Sequence, residues 1–148
     1  MADPATYRDA TEDESAKVLT AAKAYIGTGY EAIGYCSGFV CKAIRDSVNS
    51  TFPTNGTVSY FSTYPGLRKL KDDEDGRGGD VLMWGATHMG FYDPSPPKGV
   101  NQTYTALTAM GIPGRPNNPG VAYGSPDWFN PHPPGLWRVQ VQSVQGSQ

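Results

Sequence analysis

Apolar residues recur at helical spacing in two segments of the first fifty residues. In the segment from Glu12 to Ile26 they fall near one face, acidic residues occupy the first turn, and Gly27 follows the last turn. The predicted buried face of this helix consists of Ala16, Leu19, Ala22, Tyr25 and Ile26. A second helix is predicted from about Cys36 to Val48, with Phe39, Val40, Ala43 and Ile44 on its buried face.

Farther along the chain the pattern becomes that of short strands. Asp80–Trp84 and His88–Tyr92 predict two strands around a tight turn, and Gly120–Tyr123 and Leu136–Val141 predict two more. The other segments are expected to be a flexible lead-in at 1–11, mostly loop at 49–79, and a loop insertion at 93–120 with a short helical turn at Thr105–Met110. Helices followed by an antiparallel sheet predict one α+β domain over residues 1–148.

Composition narrows the range of partners. The 18 glycines and 13 prolines predict many loops, and a net charge of −2 argues against charge-driven binding of nucleic acid. No segment approaches the ~18 consecutive apolar residues of a membrane span, and the polar N-terminus lacks the apolar core of a secretory signal. We therefore expect a monomer with no membrane partner.

The two cysteines and two histidines do not form a metal-binding pattern. Cys36, Cys41, His88 and His132 lie at no zinc-like spacing, so neither a metal nor another cofactor is expected. Cys36 and Cys41 on one helix would point about 140° apart around its axis, which makes a disulfide between them improbable.

The segment Gly34-Tyr35-Cys36-Ser37-Gly38-Phe39-Val40 carries the strongest chemical signal. A cysteine in the first turn of a helix is close to free backbone N–H groups and to the positive end of the helix dipole, and both favour the nucleophilic thiolate. The small residues Ser37 and Gly38 leave room for a substrate backbone. The alternative interpretation is a small, buried structural cysteine.

His88 is the candidate partner of this cysteine because it opens a predicted strand, a rigid position from which to aim an imidazole. An imidazole beside a thiol can accept its proton and later return one to a leaving amine. A lone histidine is more often structural, but Cys36 and His88 taken together favour a catalytic pair.

Two linked motifs resemble the NlpC/P60 cysteine peptidases. Tyr25-Ile26-Gly27-Thr28-Gly29-Tyr30 followed by Tyr35-Cys36-Ser37-Gly38-Phe39-Val40 is similar to the nucleophile region of that family. Gly79-Asp80-Val81-Leu82-Met83-Trp84 and His88-Met89-Gly90-Phe91-Tyr92 are similar to its "GDLVFF…HVGIY" strand pair. The similarity covers roughly residues 16–93, and the Cys-before-His order and spacing suit this family.

The resemblance implies a papain-like core, with N-terminal helices packed on a small antiparallel sheet. It implies a cysteine amidase or endopeptidase that hydrolyses peptide bonds in the peptidoglycan stem, with Cys36 as nucleophile and His88 as general base. The backbone N–H of Cys36 is then expected to help hold the oxyanion. Tyr30 and Ser37 match substrate-contacting positions of the family.

One departure concerns the substrate cleft. Tyr35 stands where the family commonly has Asp, and in some members that Asp helps to bind a free substrate amine. The substitution argues against a strict need for a trimmed stem peptide, and Tyr35 itself is predicted to contact substrate. Most aromatic residues are expected in the core, but Trp84 is predicted to line the cleft.

A second departure concerns the third polar residue that orients the histidine, because the insertion at 93–120 follows His88. Asp127 is preferred, since a carboxylate best stabilises an imidazolium, and it would act on Nδ1 of His88. Asn130, His132 and a backbone carbonyl are the alternatives. Asp127 can equally cap a turn after Pro126.

The resemblance also suggests a biological setting. Without a recognisable export signal, we expect an antibacterial effector toxin of the type VI secretion kind, acting in the bacterial periplasm or cell wall and paired with a cognate immunity protein. An excised catalytic domain of a larger wall enzyme is the other setting considered. Rival functions are a protein deamidase or acyltransferase on the same Cys-His core, or a non-catalytic binding module.

Overall fold

A computed structural model describes residues 6–112 and 115–143 of the protein. In chain order the elements are β1 (Thr6–Asp9), α1 (Glu12–Lys23), α2 (Tyr35–Ser47), α3 (Val58–Ser62), β2 (Leu67–Lys69), β3 (Val81–Trp84), β4 (His88–Tyr92), β5 (Ala106–Ile112), β6 (Arg115–Gly124), a 3₁₀ turn (Pro126–Trp128) and β7 (Gly135–Ser143). Helices precede most of the sheet, so the predicted α+β class is confirmed.

The strands form one antiparallel sheet in the order β1-β7-β3-β4-β5-β6, with β2 also paired to β7. Strand β7 therefore binds three partners, and its register places Trp137 opposite Val81 of β3. Strand β3 in turn pairs with β4, where Trp84 lies opposite His88. The centre of the sheet thus fixes the start of β4, on which the candidate base stands.

Helix α1 begins with a capping box. The Thr11 side chain accepts from the Glu14 N–H, and the Glu14 carboxylate accepts from the Thr11 N–H. The helix ends at Lys23 rather than at the predicted Ile26. Its buried face is Ser15, Val18, Leu19 and Ala22. Ala16 and Ile26, which the pattern placed on that face, are exposed.

Helix α2 is the most buried helix of the described chain and packs against α1, β4 and β5. Phe39 meets Phe91 of β4 edge-on, with ring centroids 5.5 Å apart. Each such fully buried side chain contributes roughly 1.5–3 kcal/mol. At Gly38 a Cβ would lie 2.7 Å from the Ile33 carbonyl oxygen, so only glycine lets the preceding turn come this close to the helix.

Several segments expected to lack regular structure are strands or helix. Residues 6–9 of the predicted lead-in pair with β7, and α3 and β2 lie within the predicted loop at 49–79. In the predicted insertion, β5 and β6 form a hairpin, so the helical turn expected at Thr105–Met110 is wrong. These elements depend on pairing with distant strands, which local periodicity does not report.

Candidate active site

A left-handed turn places Cys36 in the first turn of α2. Gly34, the residue before the helix, has φ +88° and Tyr35 has φ +67°. A positive φ is strained for a bulky residue such as tyrosine and persists only where the surroundings enforce it. The Tyr35 N–H donates to the Tyr30 carbonyl at 3.0 Å, which holds the turn.

The Cys36 thiol is buried against the start of β4. Burial raises the pKa of this thiol, while the backbone N–H groups of Met89, Ser37 and Cys36 act in the opposite direction, and burial is the larger effect. A thiolate formed there would have these backbone N–H groups nearby to stabilise it. At neutral pH the resting group is the thiol, and it needs a base to react.

His88 is the first residue of β4 and the direct neighbour of Met89, whose amide faces the thiol. Burial lowers the pKa of His88 to about 4, and burial is the sole cause. The ring is therefore a neutral imidazole at pH 7, the form that accepts a proton. The described chain contains no hydrogen bond between the thiol and this imidazole, and catalytic hydrogen bonds of this kind often tighten only when substrate binds.

The residues predicted to orient His88 make other contacts. Asp127 is exposed in the 3₁₀ turn, where its N–H donates to the Ser125 hydroxyl at 3.1 Å. His132 Nδ1 lies 3.1 Å from Asn130 Oδ1. Within residues 6–112 and 115–143, no hydrogen bond or ion pair joins Asp127, Asn130 or His132 to His88. The residue that caps this turn is Ser125, and both the orienting and the turn-capping roles of Asp127 remain sequence predictions without a supporting contact.

Phe129 is the residue at this site that sequence reasoning missed. Its ring stacks on the His88 ring with centroids 4.2 Å apart and planes 23° from parallel. Trp84 contacts both rings, at 5.3 Å from His88 and 4.9 Å from Phe129. A phenylalanine has no polar group that marks it as a partner of His88, and nothing in the local pattern distinguishes Phe129 from a core residue.

The aromatic residues predicted to meet substrate divide into two groups. Tyr30 lies near Cys36. Burial and, to a lesser extent, Cys36 raise the pKa of the Tyr30 phenol. Its ring meets the half-exposed Tyr35 ring edge-on, with centroids 5.2 Å apart. Trp84 is fully buried and donates from Nε1 to the Pro126 carbonyl at 2.8 Å. Trp84 packs against His88 and has no exposed surface, so its contact with substrate stays a sequence prediction without a supporting observation.

Ser37 has a partner that the sequence did not reveal. Its hydroxyl donates to Asn55 Oδ1 at 2.7 Å, and the same oxygen accepts from the Gly56 N–H at 2.8 Å. This pair of bonds holds the loop before α3 beside the first turn of α2. Asn55 itself is exposed.

No group of three His, Cys, Asp or Glu side chains that could hold a metal ion is present in the described ranges. Both cysteines are free thiols. None of the helices described is both long and apolar enough to span a bilayer.

The arrangement of helices and antiparallel sheet, with cysteine opening α2 and histidine opening β4, is an α+β fold of the NlpC/P60 type. Among solved structures, the chain is similar to the NlpC/p60 domain of the peptidoglycan hydrolase SagA, with a TM-score of 0.53 and 24% identity over 84% of this chain and 97% of that one. The predicted fold is thereby confirmed. No family model and no curated protein sequence matches the chain.

Proposed function

We propose that the protein is a cysteine hydrolase that cuts amide bonds in the peptide stem of peptidoglycan, with Cys36 as nucleophile and His88 as general base. The observation that carries the proposal is the position of the Cys36 thiol, at the start of α2 and against the amide of Met89, the residue next to His88. The similar fold of a domain whose name describes a peptidoglycan hydrolase supports the choice of substrate.

The reaction begins with proton transfer, because burial keeps the Cys36 thiol neutral and the His88 imidazole unprotonated at pH 7. As the sulfur attacks the amide carbonyl carbon, His88 accepts the thiol proton. The carbonyl oxygen becomes an oxyanion, for which the N–H groups of the first turn of α2 are donors, since the first amides of a helix lack intrahelical acceptors.

Collapse of the tetrahedral intermediate breaks the C–N bond, and the imidazolium of His88 gives its proton to the leaving amine. The thioester that remains on Cys36 is then attacked by water, with His88 again accepting the proton. Breakdown of this second intermediate releases the carboxylic acid and returns the thiol to Cys36. No cofactor is needed for either half of the reaction.

The test is digestion of purified peptidoglycan and isolated muropeptides, with products identified by mass. Cys36→Ala should abolish all new stem fragments, whereas Cys41→Ala, which changes a cysteine deeper in the same helix, should retain them. Failure of the folded wild type to cut either substrate would refute the proposal. Acyl transfer to an added amine, or ammonia release from a protein glutamine, would then indicate the acyltransferase or deamidase alternative.

We further propose the setting predicted from the sequence, an antibacterial effector that acts in the periplasm and is neutralised by an immunity protein. The support is the NlpC/P60 resemblance, which allows an effector as one of the two settings considered. Expression directed to the periplasm of a Gram-negative host should lyse the cells, while cytoplasmic expression and periplasmic Cys36→Ala should not. Survival of cells with active enzyme in the periplasm would contradict this setting.

A further inference from the structure

The His88 side chain is half-buried, and among the described residues its buried Nε2 atom has no hydrogen-bond partner. A catalytic imidazole normally depends on a hydrogen bond to its second nitrogen for its orientation, as when a carboxylate holds the ring in a triad. Something other than a hydrogen bond must therefore hold the ring of His88.

Two aromatic rings pack against the His88 ring and hold it in place. The Phe129 ring lies nearly parallel to the imidazole at 4.2 Å, and Trp84 packs against both. Trp84 is anchored from β3, on which its Cα lies opposite that of His88. The imidazole is thus in contact with an aromatic surface contributed by two separate parts of the chain.

The segment that carries Phe129 is fixed to the β3–β4 turn on both sides of the ring. Before Phe129, the Pro126 carbonyl accepts from Trp84 Nε1 at 2.8 Å. After it, the Asn130 carbonyl lies 2.7 Å from the Thr87 hydroxyl. These two bonds leave the stacked ring little freedom to move away from the imidazole.

Two further contacts support the same segment. Pro131 packs so closely on the turn that a Cβ at Gly85 would lie 3.0 Å from Pro131 Cδ. His132 Nδ1 lies 3.2 Å from the Phe129 carbonyl oxygen. The backbone on either side of Phe129 is therefore held by packing and by polar contacts together.

We propose that Phe129 is a positioning residue for the hydrolysis, which fixes the His88 ring by stacking in place of a polar third member. The inference rests on the proposed function of Cys36 and His88. Phe129 does not touch the reacting atoms. It restricts rotation of the imidazole and keeps water from its buried side, so that the ring stays aimed at the nucleophile.

The titratable groups on the elements around His88 are few. They are Cys36 and Tyr35 on α2, Tyr30 in the preceding turn, and Asp127 and His132 in the segment after β6. None of them contributes to the lowered pKa of His88, for which burial is the sole cause. Opening the aromatic contact should therefore raise that pKa toward its ordinary value of 6.5.

The experiment compares Phe129→Leu, which keeps apolar volume but removes the stacking plane, with Phe129→Tyr, which keeps the plane. Phe129→Leu should lower kcat about 10- to 100-fold with little change in KM, because misplacement of a catalytic group affects the transition state more than ground-state binding. Phe129→Tyr should restore most of kcat. Trp128→Leu is the matched control, since the neighbouring Trp128 is exposed and meets Tyr104 edge-on instead.

A second readout does not depend on hydrolysis. The chain has two histidines, so His132→Gln assigns the imidazole resonances of His88 in an NMR titration. Phe129→Leu should raise the pKa of His88, and wild type should show His88 ring protons shifted upfield by the stacked rings. If Phe129→Leu does not fold, the upfield shift in wild type is the remaining test. Its presence supports stacking of Phe129 on His88, and its absence overturns the proposal.

The outcomes separate the two proposals. Unchanged kcat and unchanged His88 pKa in folded Phe129→Leu would overturn the positioning role while leaving the hydrolase intact. A collapse of kcat in Asp127→Asn, with Phe129→Leu at wild-type rate, would assign the orienting role to Asp127 instead. If wild type cleaves nothing, the hydrolase proposal fails, and the NMR titration still tests the stacking.

Discussion

Arg138 of β7 donates two hydrogen bonds to the carboxylate of Asp80, the residue before β3, at 2.7 Å and 3.0 Å. Both side chains are buried, and Asp80 also accepts from the Arg77 N–H at 2.9 Å. The pair joins the start of β3, the strand that leads to His88, to β7, the strand that pairs with three others. The Asp80 hydrogen bond is the main reason that the pKa of Arg138 is raised.

Asp80→Asn should destabilise the protein by about 3–5 kcal/mol, because it leaves the buried Arg138 without a counter-charge. The free energy of unfolding in urea measures this. The control is Glu14→Gln, which breaks the exposed ion pair with Arg8 but keeps a side chain suited to the capping box of α1. Glu14→Gln should leave stability nearly unchanged, and equal losses in the two variants would contradict the role of the buried pair.

The two thiols should differ sharply toward an alkylating reagent. Cys36 lies at the start of α2 with three amides around its sulfur, whereas Cys41 is fully buried and burial raises its pKa to about 12. Mass spectrometry after iodoacetamide treatment of folded protein should find one label, at Cys36, and none in Cys36→Ala. The labelling rate should climb as pH rises past 9, since burial raises the pKa of Cys36 above that value.

A flat labelling rate from acidic to neutral pH would instead mean that thiolate and imidazolium already exist as a pair in the resting protein. It would contradict the proton transfer that opens the mechanism proposed above. Labelling of both cysteines under native conditions would contradict the burial of Cys41.

Acidification should destabilise the protein through His88. The folded pKa is about 4 against 6.5 for the free side chain, so between these values the unfolded chain binds the extra proton. Stability is therefore unaffected above pH 6.5 and falls as pH drops from 6.5 to 4, by about 3 kcal/mol at pH 4. Unfolding free energies at pH 7 and pH 4 measure the effect.

Matched variants isolate the histidine in that experiment. His88→Gln should lose less stability on acidification than wild type, whereas His132→Gln, which changes an exposed histidine, should follow wild type. The carboxylates contribute equally to all three proteins and cancel in the comparison. A wild-type loss no larger than that of His88→Gln would show that His88 titrates normally.

Gly79 should tolerate a methyl group far less well than Gly99, although both have φ +95°. A Cβ at Gly79 would lie 2.1 Å from the Ser15 carbonyl oxygen, whereas nothing lies within 4 Å of a Cβ at Gly99. Gly99→Ala should cost about 1 kcal/mol from backbone strain alone, and Gly79→Ala should cost more because α1 must move. Thermal unfolding of the two variants tests this, and equal shifts would place the whole effect in the backbone.

The sequence predicted well those elements that local pattern determines. Helix α2 and the strands β3 and β4 carry their own apolar periodicity. Of the two proposed reacting residues, Cys36 lies in the first turn of α2 and His88 is the first residue of β4. Strand β1 has hardly any apolar pattern, and it forms because β7 offers it hydrogen bonds. Of the β5–β6 hairpin the pattern predicted only Gly120–Tyr123, within β6. Strand β5 was hidden, since small residues such as Ala106 and Gly111 weaken the alternation of a strand.

The candidate site shows the same division between local and distant information. Cys36 and His88 were found because their types and flanking residues suggest chemistry. Phe129 acts through a contact with a residue far away in the chain, and a phenylalanine has no chemical signature of its own. The burial of Trp84 was equally hidden, because the sequence pattern of an aromatic side chain is the same whether it lines a cleft or packs in the core.

The pairing of β7 with three strands has a consequence for how the protein folds during its synthesis. Strands β1, β2 and β3 are all synthesised before β7, and each of them pairs with it in the finished sheet. A nascent chain that has emerged only as far as β4 already contains Cys36 and His88, but lacks the strand that pairs with β1, β2 and β3. If these two residues catalyse hydrolysis as proposed, the activity is expected only once β7 has left the exit tunnel and paired with these strands.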